Sequence, residues 1–255
     1  MNLHNKTLIV TGVASGIGAE LARLARFQGA TVIGVDRHEP QLTLDGFFQA
    51  DLGDPASIDA LVARLPARVD GLCNIAGVPG TAPTQAVATV NYLGLRHLTQ
   101  ALLPRMPAGG SIVNVASVLG AQWPQRLELH KALAATSSFE AGQQWLAANP
   151  VEQASCYQYF KEALIVWSFQ QSQGWFRDHS VRINCVAPGP VFTPILGDFV
   201  SMLGPQRVAE DSRRMTRPAL ADEVAAVIAF LCSDASRWVN GVNLPVDGGL
   251  AATYV

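Results

Sequence analysis

The chain has 255 residues, of which 49% are hydrophobic and only 15% charged, and its net charge at pH 7 is −2. This length suits one large domain or two small ones, and no shift in composition divides it. The near-neutral charge gives no electrostatic case for nucleic acid or an anionic membrane as partner. No apolar run approaches the roughly 20 residues of a transmembrane helix.

The cysteines and histidines suggest neither disulfides nor a metal site. Four cysteines, Cys73, Cys156, Cys185 and Cys232, are scattered without C-x-x-C pairing, and the five histidines show no ligand spacing. The N-terminus also lacks the charged-then-apolar pattern of a signal peptide. We therefore expect a cytoplasmic protein in a reducing compartment, with no bound metal.

Strands and helices alternate along the chain. The sequence predicts strands at 6–11, 31–35, 46–50, 71–74, 110–115, 180–186 and 242–246, and helices at 19–28, 54–65, 87–106, 155–173 and 221–232. Such alternation predicts parallel strands with right-handed crossovers. The expected fold class is α/β: a single-domain (1–255) Rossmann-type doubly wound parallel sheet of about seven strands, with ligands at the carboxyl ends of the strands.

A glycine-rich turn joins the first strand to the first helix. Gly12, Gly16 and Gly18 permit close approach of the backbone to a phosphate, and the following helix points its free N–H groups toward it. Asp36, at the tip of the second strand, is an acid placed to accept both ribose hydroxyls and to repel a 2′-phosphate. The pattern favours NAD over NADP. Arg37 either softens that preference or lies along the adenine, and a strand-end cap is the alternative role for Asp36.

Tyr157 and Lys161 share one face of a predicted helix. A lysine ammonium about 4 Å from a phenol contributes roughly 4 kcal/mol at an effective dielectric of about 20, which equals about 3 pKa units. We therefore expect Lys161 to lower the pKa of Tyr157 toward neutrality, so that the phenol serves as a general acid/base. Taken alone, such a pair is more often a half-exposed aromatic beside a solvated lysine.

Eight motifs in register resemble the short-chain dehydrogenase/reductase family over essentially the whole chain. In chain order they are Thr11-Gly12-x-x-x-Gly16-Ile17-Gly18, Asp51-Leu52, Asn74-x-Ala76-Gly77, Asn91-x-x-Gly94, Ser117, Tyr157-x-x-x-Lys161, Asn184-x-x-x-Pro188-Gly189-x-x-x-Thr193 and Val246-Asp247-Gly248-Gly249. One such motif is weak, whereas eight in order are specific.

The resemblance implies four catalytic residues. Tyr157 would be the general acid/base, and Lys161 would lower its pKa and hold the nicotinamide ribose. Ser117 would position the substrate oxygen, and Asn91 would support a proton-relaying water. The alternatives are a buried serine cap for Ser117 and a helix N-cap for Asn91. The implied cofactor, NAD, would be bound by Tyr157 and Lys161 together with Gly12, Ser15, Gly16, Ile17, Gly18, Asp36, Arg37, Asp51, Leu52, Asn74, Ala76, Gly77, Pro188, Val191 and Thr193.

The sequence departs from the family pattern at two places. Ile75 replaces the second asparagine of the fourth-strand motif, for which we expect little consequence. Ser117 and Tyr157 are 40 residues apart, far more than is common in the family, because of an inserted helix or two at about 122–153. A similar insertion marks a bacterial subgroup that includes 3α-hydroxysteroid dehydrogenase/carbonyl reductase and coniferyl alcohol dehydrogenase. The run 30–52 and the overall length lean toward the latter.

The insertion also affects the oligomeric state that we expect. In many family members the helices that carry the equivalents of Asn91 and Tyr157 pack against their copies, and an insertion beside them should obstruct that packing. We therefore expect a homodimer formed through 221–232 and the last strand, with a homotetramer as the alternative.

The expected activity is NAD-dependent hydride transfer between nicotinamide and an apolar alcohol or carbonyl compound that is aromatic, alicyclic or steroid-like. Val118, Leu119, Trp123 and Pro190 should line the pocket, and 194–215 should close over it as a lid. A non-catalytic dinucleotide-sensing module is the alternative, although such proteins typically lose the tyrosine or lysine. A sugar epimerase or dehydratase would need a larger C-terminal substrate domain.

Overall fold

The computed structural model describes residues 2–254 and confirms the parallel sheet. Its strands, all paired in parallel, lie in the order β3-β2-β1-β4-β5-β6-β7. The strand order reverses between β1 and β4, which is where such sheets form their ligand crevice. The strands are Thr7–Thr11 (β1), Thr31–Asp36 (β2), Gly46–Gln49 (β3), Gly71–Asn74 (β4), Ser111–Val115 (β5), Arg182–Pro188 (β6) and Asn243–Val246 (β7).

Helices cover both faces of the sheet, and a separate apolar core lies on each face. The central strands β4, β5 and β6 are therefore buried along their whole length instead of alternating between buried and exposed residues. The helices are Gly16–Phe27 (α1), Pro55–Arg64 (α2), Thr84–Ala88 (α3), Leu95–Leu102 (α4), Leu127–Ala134 (α5), Phe139–Ala148 (α6), Cys156–His179 (α7), Leu196–Leu203 (α8), Pro205–Arg214 (α9) and Ala221–Cys232 (α10).

Three helix predictions differ from the structure, one of them because α7 continues to His179 instead of ending at 173. The first helix begins at Gly16 rather than at 19, because the glycine turn itself forms the first helical turn. The helix predicted at 87–106 is interrupted by a π-helical segment, Thr89–Gly94, and ends in a 3₁₀ turn, Leu103–Arg105. Apolar spacing does not distinguish a short π segment from the α-helix on either side of it, because a single π turn is too short to establish a period of its own.

The insertion forms a 3₁₀ segment, Val118–Arg126, followed by α5 and α6. It is anchored to α7 by a buried charged cluster. The Glu162 carboxylate is fully buried and lies 2.8 Å from His130 Nε2 and 3.1 Å from Arg126 Nε. The insertion therefore covers the outer face of the helix that carries Tyr157.

A second anchor attaches the insertion to α4. The Arg96 side chain is buried and donates hydrogen bonds to the carbonyl oxygens of Leu133 and Ser138 and to Thr136 Oγ1, at 3.1, 2.6 and 2.9 Å. The prediction of an inserted helix or two is confirmed, and the insertion also covers the helix that follows the π segment.

Two features are absent from residues 2–254. No helix there is both long enough and apolar enough to cross a bilayer. No three His, Cys, Asp or Glu side chains in that range are grouped so that they could hold a metal ion. The four cysteines are buried and free.

Candidate active site

The glycine turn forms a crevice at the carboxyl ends of β1, β2 and β4. Gly12 has a φ of +72°, and a Cβ atom there would lie 2.8 Å from the Ala76 backbone. A side chain at Gly18 would collide with the carbonyl of Gly12. The two glycines therefore let the loops after β1 and β4 and the start of α1 come together, with the N-terminus of α1 facing the crevice.

Most of the predicted cofactor residues line this one crevice. They come from five separate segments that the sheet brings together, which is the arrangement an extended dinucleotide needs. The residues are Gly12, Ser15, Gly16, Ile17, Asp36, Arg37, Asp51, Leu52, Ala76, Gly77 and Thr193. Further residues of the lining, which sequence reasoning missed, are His38, Ala50, Ile75, Val78, Val90, Pro194 and Ile195.

Asp36 is held in place by the backbone. Its Oδ2 atom accepts a hydrogen bond from Ala14 N and its Oδ1 atom accepts one from His38 N, both at 3.0 Å. A carboxylate oxygen accepts more than one hydrogen bond, so these contacts orient the group without saturating it. The residues present therefore fit a dinucleotide whose ribose hydroxyls meet a carboxylate.

Thr11 organises the crevice, although no role was predicted for it beyond its place in the glycine motif. Its Oγ1 atom accepts hydrogen bonds from Ile75 N and Ala76 N, at 2.9 and 3.1 Å. The hydroxyl at the end of β1 thus fixes the loop after β4. A threonine directly before the first glycine of the motif was the only available signal.

Six predicted cofactor residues lie elsewhere, and two of them, Tyr157 and Lys161, line the adjoining cavity described below. Asn74 is buried and donates to Thr99 Oγ1 and Asn114 Oδ1, at 2.9 and 2.8 Å, so its side chain joins β4 to β5 and α4 instead of lining the crevice. Gly18 acts through packing at the start of α1. Pro188 and Val191 line the adjoining cavity.

The adjoining cavity contains the predicted catalytic residues Ser117, Tyr157 and Lys161. Ser117 follows β5, and its Oγ atom accepts from Leu119 N at 3.2 Å, capping the 3₁₀ segment. Tyr157 and Lys161 are one turn apart near the start of α7, and all three residues are more than nine-tenths buried. The buried cap expected as the alternative for Ser117 is therefore present, and it aims the hydroxyl toward the tyrosine.

The prediction that Lys161 lowers the pKa of Tyr157 toward neutrality was wrong for this structure. Burial raises the pKa of Tyr157, and a hydrogen bond with Ser117 offsets this in part. Lys161 Nζ donates to Val115 O at 2.7 Å and lies 5.5 Å from the centre of the tyrosine ring. Helical spacing brings the two side chains together, but the ammonium group faces a backbone carbonyl rather than the phenol oxygen.

Burial also acts on the lysine. It lowers the pKa of Lys161 to about 8, against a smaller raising effect of Cys185. Both members of the pair are thus shifted toward their neutral forms, as expected when the charged form loses its hydration.

Asn91 lies in the π-helical segment and is completely buried. Its Oδ1 atom accepts from Val78 N at 2.8 Å, and its Nδ2 atom donates to Val78 O at 2.9 Å. The side chain therefore fixes the loop after β4 next to the catalytic pair. A Cβ atom added to Gly77 would lie 3.2 Å from Asn91 Oδ1 and 3.9 Å from Lys161 Nζ, which shows how closely the three residues approach.

The wall of the cavity is mainly apolar and comes partly from the lid. Val118, Leu119 and Pro190 line it as predicted, whereas Trp123 packs against Phe169 at a ring distance of 5.5 Å and is turned away. Phe199, in α8, makes an edge contact with Tyr157 at 5.1 Å. Lining residues that the sequence analysis did not name individually include Val115, Val208, Asp211 and Leu250.

Comparisons with known proteins agree with this geometry. The profile of the family described as short chain dehydrogenase matches residues 6–128, and that of the family described as enoyl-(acyl carrier protein) reductase matches residues 144–251. The chain is 65% identical to coniferyl-alcohol dehydrogenase of Pseudomonas sp. (strain HR199 / DSM 7063), over the full length of both chains.

More distant relatives share the fold and its length. The chain is 31% identical to 3-alpha-hydroxysteroid dehydrogenase/carbonyl reductase of Comamonas testosteroni, over 96% of each chain. A crystal structure of 3-alpha-hydroxysteroid dehydrogenase from Pseudomonas sp. B-0831, complexed with NADH, superposes with a TM-score of 0.81 at 34% identity, over 98% of each chain. The chain therefore belongs to the short-chain dehydrogenase/reductase family and is an NAD(H)-binding oxidoreductase, not a non-catalytic dinucleotide-sensing module.

Proposed function

We propose that the protein oxidises an aryl-substituted allylic alcohol of the coniferyl type with NAD⁺, or reduces the corresponding aldehyde. The observation that carries this proposal is the 65% identity to a coniferyl-alcohol dehydrogenase over the full length of both chains. That alignment includes the insertion and the lid, the two segments that lack a family-wide template. A steroid or alicyclic alcohol is the second candidate, supported by a relative that is only 31% identical.

The arrangement of the three central residues supports a proton-transfer role for Tyr157. The phenol is buried beside Ser117, so an alcohol oxygen entering the cavity would meet two hydroxyl groups at once. Ser117 orients that oxygen, and the Tyr157 phenolate accepts its proton. Bound NAD⁺ supplies the hydride acceptor, while the protein supplies orientation and the base.

Lys161 lies next to the reacting pair without acting on the phenol oxygen directly. Its ammonium group is 5.5 Å from the centre of the Tyr157 ring and donates to Val115 O at 2.7 Å. We propose that Lys161 also holds the nicotinamide ribose, while Asn91 keeps the Val78 loop in place beside it. Asp36 accepts the adenosine ribose hydroxyls, which favours NAD over NADP.

The cavity suits a flat apolar substrate. Aliphatic side chains from β5, the loop after β6 and the lid form most of its lining, and the aromatic Phe199 lies over Tyr157. Such a lining favours an aromatic ring and its conjugated side chain. Closure of α8 and α9 over the ring would exclude water from hydride transfer.

A Tyr157→Phe variant tests the mechanism. The substitution removes only the phenol oxygen, so we expect the rate of coniferyl alcohol oxidation to fall by about 10²- to 10⁴-fold. Binding of NADH, measured by fluorescence titration, should change little. Retained turnover would refute the role of Tyr157.

A substrate and cofactor screen tests the rest of the proposal. NAD⁺ and NADP⁺ are compared with cinnamyl, benzylic, alicyclic and steroid alcohols, and the highest kcat/KM is expected for NAD⁺ with a cinnamyl-type alcohol. A preference for NADP⁺ would contradict the role of Asp36. A preference for steroid alcohols would contradict the proposed substrate.

We also propose a cytoplasmic homodimer. The insertion covers α4 and α7, whereas β7 is an edge strand and the nearby Trp238 is 87% exposed. Association through α10 and β7 would cover this edge. Light scattering should show a dimer, and a stable tetramer would refute the arrangement. Cell fractionation tests the compartment, for which four free buried thiols suggest a reducing one.

A further inference from the structure

The loop after β4, residues 75–83, carries part of the active site without having regular structure of its own. It lies between β4 and α3 and forms neither a strand nor a helix. Val78 lines the substrate cavity, and a Cβ atom added to Gly80 would lie 3.0 Å from Tyr157 Cβ. Since no ladder of backbone hydrogen bonds holds such a segment, side chains that bond to its backbone must fix its position.

The lid rests on the same loop. Thr81 Oγ1 donates to Asp198 Oδ1 in α8 at 3.0 Å. A Cβ atom added to Gly80 would lie only 2.5 Å from Met202 Sδ, so the thioether of α8 occupies the space that a side chain at Gly80 would need. The position of the loop therefore determines how closely α8 can approach the cavity.

One amide side chain from outside the loop binds it at three residues. Gln153 Nε2 donates to Gly80 O and Ala82 O, at 2.7 and 2.8 Å. Gln153 Oε1 accepts from Thr84 N and Thr84 Oγ1, both at 3.0 Å. An amide group has two donor hydrogens and two acceptor positions, so all four are used. Gln153 is exposed; water can therefore satisfy each of these partners separately, but it cannot hold the three residues together.

Gln153 also provides a cap that α3 lacks locally. The residue before α3 is Pro83, whose side chain has no group that can accept a hydrogen bond from the free N–H groups of the helix. Gln153 Oε1 accepts from the first of these, Thr84 N. α3 leads directly into the π-helical segment that carries Asn91, which bonds to Val78 N and O. Asn91 therefore holds one end of the loop and Gln153 the other.

The position of Gln153 in the chain joins the loop to the catalytic helix. Gln153 begins the 3₁₀ turn Gln153–Ser155, which leads directly into α7. Its Nε2 atom lies 3.7 Å from Sγ of Cys156, the first residue of α7. A movement of the loop relative to the start of α7 would therefore break all of the bonds between the loop and the amide.

We propose that Gln153 is a positioning residue, which fixes the loop after β4 against the start of α7 and thereby holds the surface on which the lid closes over the substrate. The inference goes beyond the proposed function, because it does not depend on which alcohol is oxidised. Gln153 touches neither the substrate cavity nor the dinucleotide crevice, since it lines neither of them. Its effect should therefore appear in substrate binding and not in the chemical step.

Steady-state kinetics test the proposal, with the alcohol that gives the highest kcat/KM in the substrate screen. Gln153→Leu removes the four hydrogen bonds, so KM for the alcohol should rise about five- to tenfold while kcat stays within about twofold. Gln153→Glu keeps the acceptor for Thr84 but places a carboxylate oxygen against two carbonyl oxygens, so KM should rise at least as far. NADH affinity, measured by fluorescence titration, should stay within about twofold in both variants.

Gln144→Glu is the matched control, because Gln144 is an exposed glutamine in α6 of the same insertion. Its KM and kcat should equal those of the wild-type protein. An unchanged KM in the two Gln153 variants would overturn the proposal, and so would a fall in kcat without a rise in KM. A loss of thermal stability without a rise in KM would show that Gln153 has only a structural role, which overturns it too.

A double-mutant cycle tests whether Gln153 acts through the lid. Asp198→Ala removes the contact with Thr81 and should raise KM about two- to threefold in the wild-type protein. In Gln153→Leu the same substitution should have no further effect, because the displaced loop no longer presents Thr81 to α8. A further twofold increase would overturn the proposal, since the lid would then close on the loop without Gln153. Repeating the cycle in Gln153→Glu makes the test independent of the folding of one variant.

Discussion

The insertion and the lid flank the same catalytic tyrosine but are attached in opposite ways. The insertion is anchored to α4 and α7 through the fully buried groups of Arg96, His130 and Glu162. In the lid, α8 has no buried residue, and α9 buries only Val208 and Asp211. One segment is part of the core, whereas the other rests on the cavity.

This difference assigns different tasks to the two segments. Breaking a buried charged cluster leaves several polar groups without partners at the same time. Movement of the insertion therefore has a large free-energy cost. A helix without buried side chains opens at low cost, as an active-site cover must. The insertion therefore fixes the helix carrying Tyr157 and Lys161, and the lid controls access to it.

Removal of Glu162 should have the largest effect. Glu162→Ala leaves the buried His130 and the Arg126 guanidinium without their shared acceptor, so the free energy of unfolding should fall by about 3–5 kcal/mol. Urea denaturation measures this change. The control is Glu128→Ala in the same insertion, where the Glu128–Lys131 pair is exposed and removal should cost less than about 1 kcal/mol. Equal effects of the two variants would contradict the buried anchor.

The pH dependence of the reaction rate should reflect the titration of Tyr157 in α7 and not that of a group in the lid. Burial raises the pKa of Tyr157, and oxidation needs the deprotonated phenol, so kcat/KM for oxidation should rise about tenfold per pH unit below that pKa. Aldehyde reduction needs the protonated phenol and should fall as the pH passes above it. Rate profiles in both directions measure this. A profile for oxidation that is flat between neutral and alkaline pH would be inconsistent with Tyr157 as the base.

Phe199→Ala should lower activity without destabilising the fold. The ring lies 5.1 Å from that of Tyr157 but is only partly buried, so its loss should admit water to the site and reduce kcat/KM by about tenfold. The free energy of unfolding should change by less than about 1 kcal/mol. Phe192, which is 50% exposed and lies outside the cavity lining, provides the matched control. A large loss of stability in Phe199→Ala would place α8 in the core after all.

The smallest expected effect is on the contact that holds α8 closed. Thr81 Oγ1 donates to Asp198 Oδ1 at 3.0 Å in an exposed position. Asp198→Ala should raise KM about two- to threefold and leave stability within about 0.5 kcal/mol. Thr81→Val should act alike, and the double variant should be no worse than either single one. Additive effects would show that the two residues act separately.

Much of the nucleotide half could be predicted from the sequence because its constraints are local. The turn from Gly12 to Gly18 follows a β-branched strand and opens a helix, and Asp36 ends the next strand. These positions in the sequence were sufficient to predict that the residues line one crevice. The side-chain partners could not be predicted in the same way. Asn74 belongs to the predicted motif, yet it is bonded to Thr99 and Asn114, whose proximity depends on how α4 packs against β5.

The catalytic pair shows both what the sequence could predict and what it could not. The sequence determined that Tyr157 and Lys161 would share a helix face, because a four-residue spacing does so in any α-helix. Only the tertiary structure decided their protonation, since burial and the position of the Val115 carbonyl outweigh the spacing. The presence of the insertion and the lid was likewise readable from the chain. Which of them is anchored, and that Asp211 faces the cavity, depended on contacts between residues far apart in the sequence.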